Sequence, residues 1–358
     1  MMAMRMGMGM SAALGSGAGA PTFNIIGVAI ETGAQSHTRI DVDGNTLSGT
    51  QYDLGGSYYD AHGAFAFEEQ TVDGQTMIRI PAMYYKRAAI SGGDHDGKQA
   101  WWVSDGPADG FVLHPAFYDA GSPVDQIWIG KYEGVSDAGG TKVGSFGGTT
   151  PLVSINQTVY RSRCEARNAG GVTGFGMMSI YQIAVVQMLA MIETALTDSQ
   201  AALGNGRVSQ SSAANVDAAD VAQAAYRGLV GLWGNVWHHV DGYRTDGSGN
   251  IELWDRTGGK TWIGTATKRN FASFVIGTGL MLGVSGTGFD FGDVFVVDTQ
   301  DTVDPTWVDG IIILQSASRV CYHGGNWNDG ADAGLWAFYG AYVAGIADAS
   351  IGGRLAKV

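Results

Sequence analysis

The sequence predicts an α+β protein with short twisted strands, one long and one shorter helix, and long glycine-rich loops. Three observations support this prediction. Short runs of aromatic and β-branched residues with partial alternation recur along the chain, which is typical of half-buried strands. One segment combines a long helical periodicity with a capping signal. The 56 glycines among 358 residues follow no three-residue period and accompany only 7 prolines, which favours turns and irregular loops over collagen or proline-rich linkers.

The first element is an N-terminal arm, residues 1–20. Its small-residue ending, residues 18–20, resembles the cleavage site of a signal peptide. However, Gly7 and Gly9 interrupt the apolar core that such a peptide needs. We therefore expect a flexible or partner-docked arm.

Strands are predicted in two stretches after the arm. Residues 21–75 read as a small β-rich attachment region, where Asp43-Gly44 marks a hairpin turn. The main domain, residues 76–358, opens with further strands. The strand-like runs in the two stretches are residues 24–30, 39–42, 76–80, 83–86, 101–104 and 126–132.

The long helix is predicted over residues 180–196. Ser179 is suited to cap it, and Gln182 three residues later completes a capping box. Apolar residues recur so densely on this segment that we expect the helix to be largely buried. A second, shorter helix is predicted over residues 218–226.

Charge and cysteine content exclude several classes of function. A formal charge of -13 repels a phosphate backbone, and no basic cluster reverses it locally, so we expect no nucleic-acid partner. The sequence contains no run of about 18 apolar residues, so it predicts no membrane span. Cys164 and Cys321 lie far apart in sequence, and two buried reduced thiols are expected rather than a disulfide.

No motif in the sequence predicts catalysis or a metal site. His238 and His239 are neighbours on a predicted strand and therefore point to opposite faces. Residues 258–261 imitate the end of a phosphate loop but lack its upstream glycine, so a hairpin turn is expected. Asp290 and Asp293 could hold a cation only with further ligands that the sequence does not supply. We predict that the protein is not an enzyme and has no cofactor or bound metal.

Short motifs in a fixed order cover the chain from about residue 73 to its end. They are residues 73–75, 80–86, 101–104, 110–117, 129–134, 166–171, 226–228, 232–237, 322–327 and 351–355. Together they resemble a family of tail and tail-fibre proteins of tailed phages. The C-terminal half of these proteins has the C-type-lectin fold that is shared with formylglycine-generating enzymes. The resemblance implies this fold for residues 76–358.

The resemblance points to binding rather than to catalysis. In the enzymatic branch of this superfamily, a copper-dependent oxidation relies on a cysteine pair in the C-terminal segment. Here residues 327–354 contain no cysteine, and Cys321 stands alone just upstream. The enzymatic chemistry is therefore not expected in this chain.

Residues 328–350, between the two C-terminal anchors, are the predicted display segment. Their mixture of rigid aromatics with small polar residues resembles the composition of antibody binding loops. In lectin-fold proteins targeted by diversity-generating retroelements, this segment is the one diversified to change receptor choice. The ligand contacts implied by the resemblance are Asn328, Asp329, Asp332, Trp336, Phe338, Tyr339, Tyr342, Asp348 and Ser350.

The leading hypothesis is a virion structural protein, made in the host cytoplasm, that acts in host adhesion as a tail-fibre or tail-tip receptor-binding protein. Its partners would be a bacterial surface receptor, glycan or protein, and other virion proteins through the N-terminal region. Because tail receptor binders are commonly trimeric, the resemblance implies a homotrimer, in which repeated weak sites would add up to firm attachment. Two alternatives stay open: a capsid decoration or head-fibre protein, and a glycan-acting enzyme that uses Asp290, Asp293 or His323.

Overall fold

The computed structural model describes residues 22–62, 65–314 and 318–358. The predicted arm, residues 1–20, lies outside these ranges. The described chain is a strand-rich mixture with few helices, as expected for the predicted α+β class. No helix among the described residues is both long enough and apolar enough to cross a bilayer.

The strands of the described ranges form three larger sheets and several short ribbons. The first sheet has the order Thr38–Ile40, Ile25–Ala29, Gln99–Ser104, Tyr84–Ala89, Val112–Leu113. The second has the order Phe175–Met177, Leu355–Lys357, Gln126–Gly130, Gln75–Pro81, Glu68–Val72. The third has the order Trp262–Gly264, Ile251–Trp254, Trp237–Thr245, Val320–His323, Phe338–Tyr342, Trp307–Ile313, Phe271–Leu280, Val297–Gln300, and Ile351–Gly353 runs parallel beside Trp237–Thr245. The ribbons pair Tyr118–Asp119 with Ser122–Pro123, Val135–Ser136 with Val143–Gly144, Ala225–Tyr226 with Leu229–Val230, and Ser285–Gly286 with Phe289–Asp290.

Helices are few and mostly short. The α-helices are Ser57–Ala61, Gln157–Glu165, Ile180–Thr194 and Ser199–Leu203, and the 3₁₀ turns are Thr50–Tyr52, Pro115–Phe117, Val221–Gln223, Phe291–Asp293 and Gly330–Asp332. The helix Gln157–Glu165 was not predicted. It begins where the Asn156 side chain accepts a hydrogen bond from the Val159 amide, a common N-terminal cap.

The long helix confirms the sequence prediction. It spans Ile180–Thr194, and the Ser179 and Gln182 side chains form the expected capping box. All of its residues except Thr194 are buried. The helix contacts both the Ile25–Ala29 and the Trp237–Thr245 strand, so it lies in the core between two sheets.

The second predicted helix, residues 218–226, is wrong. Only the 3₁₀ turn Val221–Gln223 forms, and Ala225–Tyr226 then pairs with Leu229–Val230 as a hairpin. Both turn residues, Arg227 and Gly228, have positive φ values of 45° and 89°. The helix ends inside its predicted range, because Ala224 takes a ψ of 70° that is outside the α region, and the chain then reverses at Arg227 and Gly228.

The predicted boundary between residues 75 and 76 lies inside a sheet. Glu68–Val72 and Gln75–Pro81 pair as a hairpin, and Ile25–Ala29 pairs along its whole length with Gln99–Ser104. Ile26 and Val28 are fully buried in the same apolar cluster as the long helix. The described residues before and after position 75 thus share sheets and one core.

Three smaller predictions are also confirmed. At the Asp43-Gly44 turn, the Asp41 amide donates to the Asn45 carbonyl at 2.9 Å. Residues 258–261 lie in the connection between the paired strands Ile251–Trp254 and Trp262–Gly264, so they belong to a hairpin. Cys164 and Cys321 are both buried and are not joined to each other.

Candidate functional site

The display segment, residues 328–350, is only partly irregular. It begins with the 3₁₀ turn Gly330–Asp332 and then supplies the strand Phe338–Tyr342. This strand lies between Val320–His323 and Trp307–Ile313 in the largest sheet. Because side chains alternate along a strand, the sheet register decides which display residues face the solvent.

Two of the predicted contacts, Trp336 and Phe338, lie in the core. Their exposed fractions are 2% and 4%. The Trp336 ring packs 5.8 Å from Trp307, and the Phe338 ring packs 4.8 Å from Tyr243. The structure therefore gives these two side chains a packing role and does not present them at the surface.

Four other predicted contacts meet at one surface depression of about 290 Å³, which we call the aromatic recess. These four are Asp329, Tyr339, Tyr342 and Ser350. The side chains that complete the aromatic recess are Trp237, Phe274, Ile312, Tyr322, Asn326 and Ile351. The volume lies just below the range of about 300–1,000 Å³ that is typical of small-ligand sites.

Aromatic contacts form the floor and wall of the aromatic recess. Trp237 stacks on Phe274 with ring centroids 6.2 Å apart and planes 7° apart, and the Tyr339 ring lies edge-on 5.6 Å from Trp237. Tyr342 continues the cluster 4.7 Å from Tyr339. Trp237 and Tyr322 are 5% and 1% exposed, whereas Tyr342 is 41% exposed. The cluster thus leads from the core to a projecting tyrosine, which is a large contact surface with little side-chain freedom.

Polar groups surround these rings. The Asp329 carboxylate accepts a 2.7 Å hydrogen bond from the backbone N–H of Asn326. Burial raises the pKa of Asp329 above its usual range. Ser350 donates from both its amide and its hydroxyl to Asp348, at 2.8 and 2.6 Å. These hydrogen bonds hold the pKa of Asp348 below its usual range. The rim of the aromatic recess therefore offers a carboxyl group and a hydroxyl group in fixed positions.

The remaining predicted contacts lie outside the aromatic recess. Asn328 and Asp348 are exposed, and Asp348 acts by holding Ser350. Asp332 is half-buried, and burial raises its pKa. Sequence reasoning did not mark Trp237, Phe274 or Tyr322 as site residues, because a recess lining drawn from distant strands leaves no local pattern.

The carboxylates suggested for catalysis are engaged in ion pairs. Asp293 is fully buried and pairs with Arg256 at 2.5 Å, and it accepts a hydrogen bond from Tyr85. Burial raises the pKa of Asp293 to about 6. Asp290 lies 3.6 Å from Arg87. Each of the two carboxylates is thus held by an arginine.

The histidines are also held by the protein. His323 Nε2 lies 2.7 Å from the Leu335 carbonyl, and burial lowers the pKa of His323 to about 4. His238 and His239 point to opposite faces as predicted: one lies 3.5 Å from Glu133, and the other lies 3.1 Å from the Ile155 carbonyl. Within the described ranges, no three His, Cys, Asp or Glu side chains are grouped to hold a metal ion.

Comparisons with known proteins add no relative: no family model matches this sequence, and neither does any curated protein. The fold and the site therefore define the class by themselves. It is a strand-rich α+β protein whose largest sheet presents an aromatic surface recess.

Proposed function

We propose that this chain is the receptor-binding protein of a tailed-phage fibre or tail tip, and that the aromatic recess contacts the receptor. One observation carries the proposal. Asp329, Tyr339, Tyr342 and Ser350 belong to the set that the family resemblance singles out, and they line a single depression. In the proposal, residues 76–358 form a lectin-type scaffold together with the strands that residues 22–75 add to their sheets, and the N-terminal region attaches to the particle.

The chemistry of the aromatic recess suits reversible recognition. Its rings offer apolar area that is already ordered, so binding does not require the ordering of flexible side chains. The Asp329 carboxyl and the Ser350 hydroxyl can orient a glycan or a protein loop through hydrogen bonds. A shallow site of this size binds weakly by itself, and a trimer would raise the overall avidity through multiple contacts.

The two alternatives are separable from this proposal. The paired state of Asp293 favours a binding protein over a glycan-acting enzyme, because an acid or nucleophile must reach its substrate. A capsid decoration or head fibre would share the scaffold without a receptor role. Immunogold electron microscopy of the particle distinguishes tail from head.

The experiment measures binding of the fluorescently labelled full chain to a panel of bacterial strains by flow cytometry. Tyr342→Ala removes the projecting tyrosine and is expected to lower binding to positive strains at least about tenfold, as for an aromatic hot spot. Phe146→Ala is the matched control because Phe146 is an aromatic of similar exposure, 37%, outside the aromatic recess. The proposal is contradicted if the two variants bind equally well. It is also contradicted if the wild-type chain binds to none of the strains.

A further inference from the structure

A second depression lies beside the display segment and is larger than the aromatic recess. Its volume is about 730 Å³, within the range for ligand sites. We call it the charged groove. The helix Gln157–Glu165 and the strands Trp237–Thr245 and Ile251–Trp254 supply half of its lining. Val343 lines the charged groove, whereas its neighbour Tyr342 lines the aromatic recess. The two sites therefore adjoin along the chain.

Strand alternation builds the aromatic part of the charged groove. Ile251 and Leu253 are fully buried, so Glu252 and Trp254 point to the other face of the sheet. Trp262 stands opposite Trp254 in the neighbouring strand, with ring centroids 5.9 Å apart. Both indoles are only partly buried. The Arg244 guanidinium lies over the Trp262 ring, 4.2 Å from its centroid, so Trp254 and the Arg244–Trp262 pair together form the aromatic side of the charged groove.

The charge of this groove differs from that of the whole chain. Its basic side chains are Arg161, Arg244, Lys260 and Arg319, and its acidic side chains are Asp241, Asp246 and Glu252. A small positive excess therefore stands out in a protein with a formal charge of -13. Positive clefts concentrate anionic ligands even on an acidic protein.

The acidic side chains are already engaged. Asp241 accepts a bidentate pair of hydrogen bonds from Arg161, at 2.6 and 2.8 Å. Arg244 holds Glu252 at 2.5 Å. Asp246 accepts hydrogen bonds within its own turn, from the Ser248 amide and from the Asn250 amide and side chain. These carboxylates therefore do not compete for a ligand's hydroxyl groups as open acceptors, and they neutralise two of the arginines.

Lys260 is the basic side chain of the charged groove that we expect to bind an anion. It is exposed, and its ammonium lies 5.7 Å from the ring centroid of Trp254. Among the residues that the structure describes, no carboxylate lies within ion-pairing distance of it. A carboxylate placed beside the Trp254 ring would meet this ammonium.

We propose that the charged groove binds an acidic oligosaccharide. One pyranose ring would rest against Trp254 beside the stacked Arg244–Trp262 pair, and a sugar carboxylate would pair with Lys260. The C–H face of a pyranose carries small positive partial charges, which suit the negative face of an indole ring. The proposal does not depend on the receptor role of the aromatic recess, because the two sites use different side chains.

The test is a binding assay of the full chain on an array that carries uronic-acid and sialic-acid oligosaccharides beside neutral oligosaccharides of the same length. At least one acidic oligosaccharide is expected to bind at least about tenfold more tightly than its neutral counterpart, as expected for one charge-assisted contact. Binding should weaken in 0.5 M NaCl, where a Debye length of only about 4 Å screens an exposed ion pair.

Variants assign the binding to the charged groove. Lys260→Gln is expected to weaken acidic binding at least about fivefold through loss of the ion pair. Lys86→Gln is the matched control, because the Lys86 ammonium also lies over an indole, 5.4 Å from Trp102, but outside the charged groove. Trp262→Ala should lower binding of acidic and neutral sugars alike. Circular dichroism shows whether each variant is folded. If Trp262→Ala unfolds, the comparison of Lys260→Gln with Lys86→Gln still tests the proposal, because Lys260 is exposed and its replacement leaves the core unchanged.

Three results would overturn the proposal: no acidic oligosaccharide binds, the neutral counterpart binds equally well, or Lys260→Gln behaves like Lys86→Gln. If one of these occurs while Tyr342→Ala still removes binding to bacteria, the charged groove proposal fails and the receptor proposal stands. If instead oligosaccharide binding depends on Lys260 while no bacterium is bound, the receptor proposal fails and the charged groove proposal stands.

Discussion

Asp309 is a buried carboxyl group that accepts a hydrogen bond from the backbone of the display segment. Its replacement tests how this contact affects the stability of the fold. The side chain is 1% exposed and accepts hydrogen bonds from the Ser199 hydroxyl at 2.9 Å and from the Trp336 amide at 2.8 Å. Ser199 in turn accepts from the Leu335 amide at 2.9 Å. This carboxyl group thus fixes the backbone that leads into the strand Phe338–Tyr342.

Burial raises the pKa of Asp309 from an ordinary 3.8 to about 8. Between these two values the folded protein keeps a proton that the unfolded chain has lost. The free energy of unfolding therefore falls as pH rises from about 4 to about 8, at up to about 1.4 kcal/mol per pH unit for this group. Above the folded pKa the penalty is complete and the slope ends.

Asp309→Asn keeps an acceptor oxygen of the same shape but cannot ionise. Relative to wild type, its free energy of unfolding should rise by about 3 kcal/mol between pH 5 and pH 7, which is two pH units at the slope above. Urea unfolding followed by tryptophan fluorescence at pH 5, 6 and 7 measures this difference. Other titrating groups are shared by both proteins and cancel in the comparison.

Two further variants complete this test. Asp309→Ala leaves the Ser199 hydroxyl and the Trp336 amide without their acceptor, so a loss of about 2 to 5 kcal/mol is expected at pH 5. Asp348→Asn is the control, because the pKa of the exposed Asp348 is held low and its curve should run parallel to wild type between pH 5 and 7. The reasoning is refuted if Asp309→Asn also runs parallel, since Asp309 would then be ionised in the folded protein.

Three shorter predictions concern the core. Glu193→Ala should lower the free energy of unfolding by about 3 to 5 kcal/mol in urea titrations, because Arg227 loses the carboxylate that it contacts at 2.6 Å; a loss below 1 kcal/mol would show that the pair contributes little. Ser179→Ala should cost about 1 kcal/mol through loss of the helix cap, measured as a lower thermal midpoint, and an unchanged midpoint contradicts it. Cys164 and Cys321 should react with a thiol reagent only after denaturation, because burial raises both thiol pKa values; fast labelling of the native protein would contradict this.

The elements that the sequence predicted best are held by local interactions. The helix Ile180–Thr194 followed from its own apolar periodicity and from a capping box that spans three residues. The failed helix at residues 218–226 shows the limit of this reasoning. Its composition tolerates a helix, but the left-handed residues Arg227 and Gly228 place its end in a hairpin.

The candidate site depended on the register of the largest sheet. Composition marked Phe338 and Tyr339 equally as display residues. In the sheet, Phe338 stands opposite His323 and faces the core, whereas Tyr339 stands opposite Tyr322 on the side of the aromatic recess. A shift of one residue would exchange these roles, because side chains alternate with a period of two.

The sequence by itself determined the strand-rich α+β class, the buried capped helix and four of the residues that line the aromatic recess. These features depend on composition, periodicity and short-range capping, which are properties of neighbouring residues. Only the tertiary structure decided that Trp336 and Phe338 pack inside, that Trp237 and Phe274 join the aromatic recess, and that a charged groove lies beside it. Strands distant in sequence meet in one sheet there, and no local pattern records which face each side chain takes.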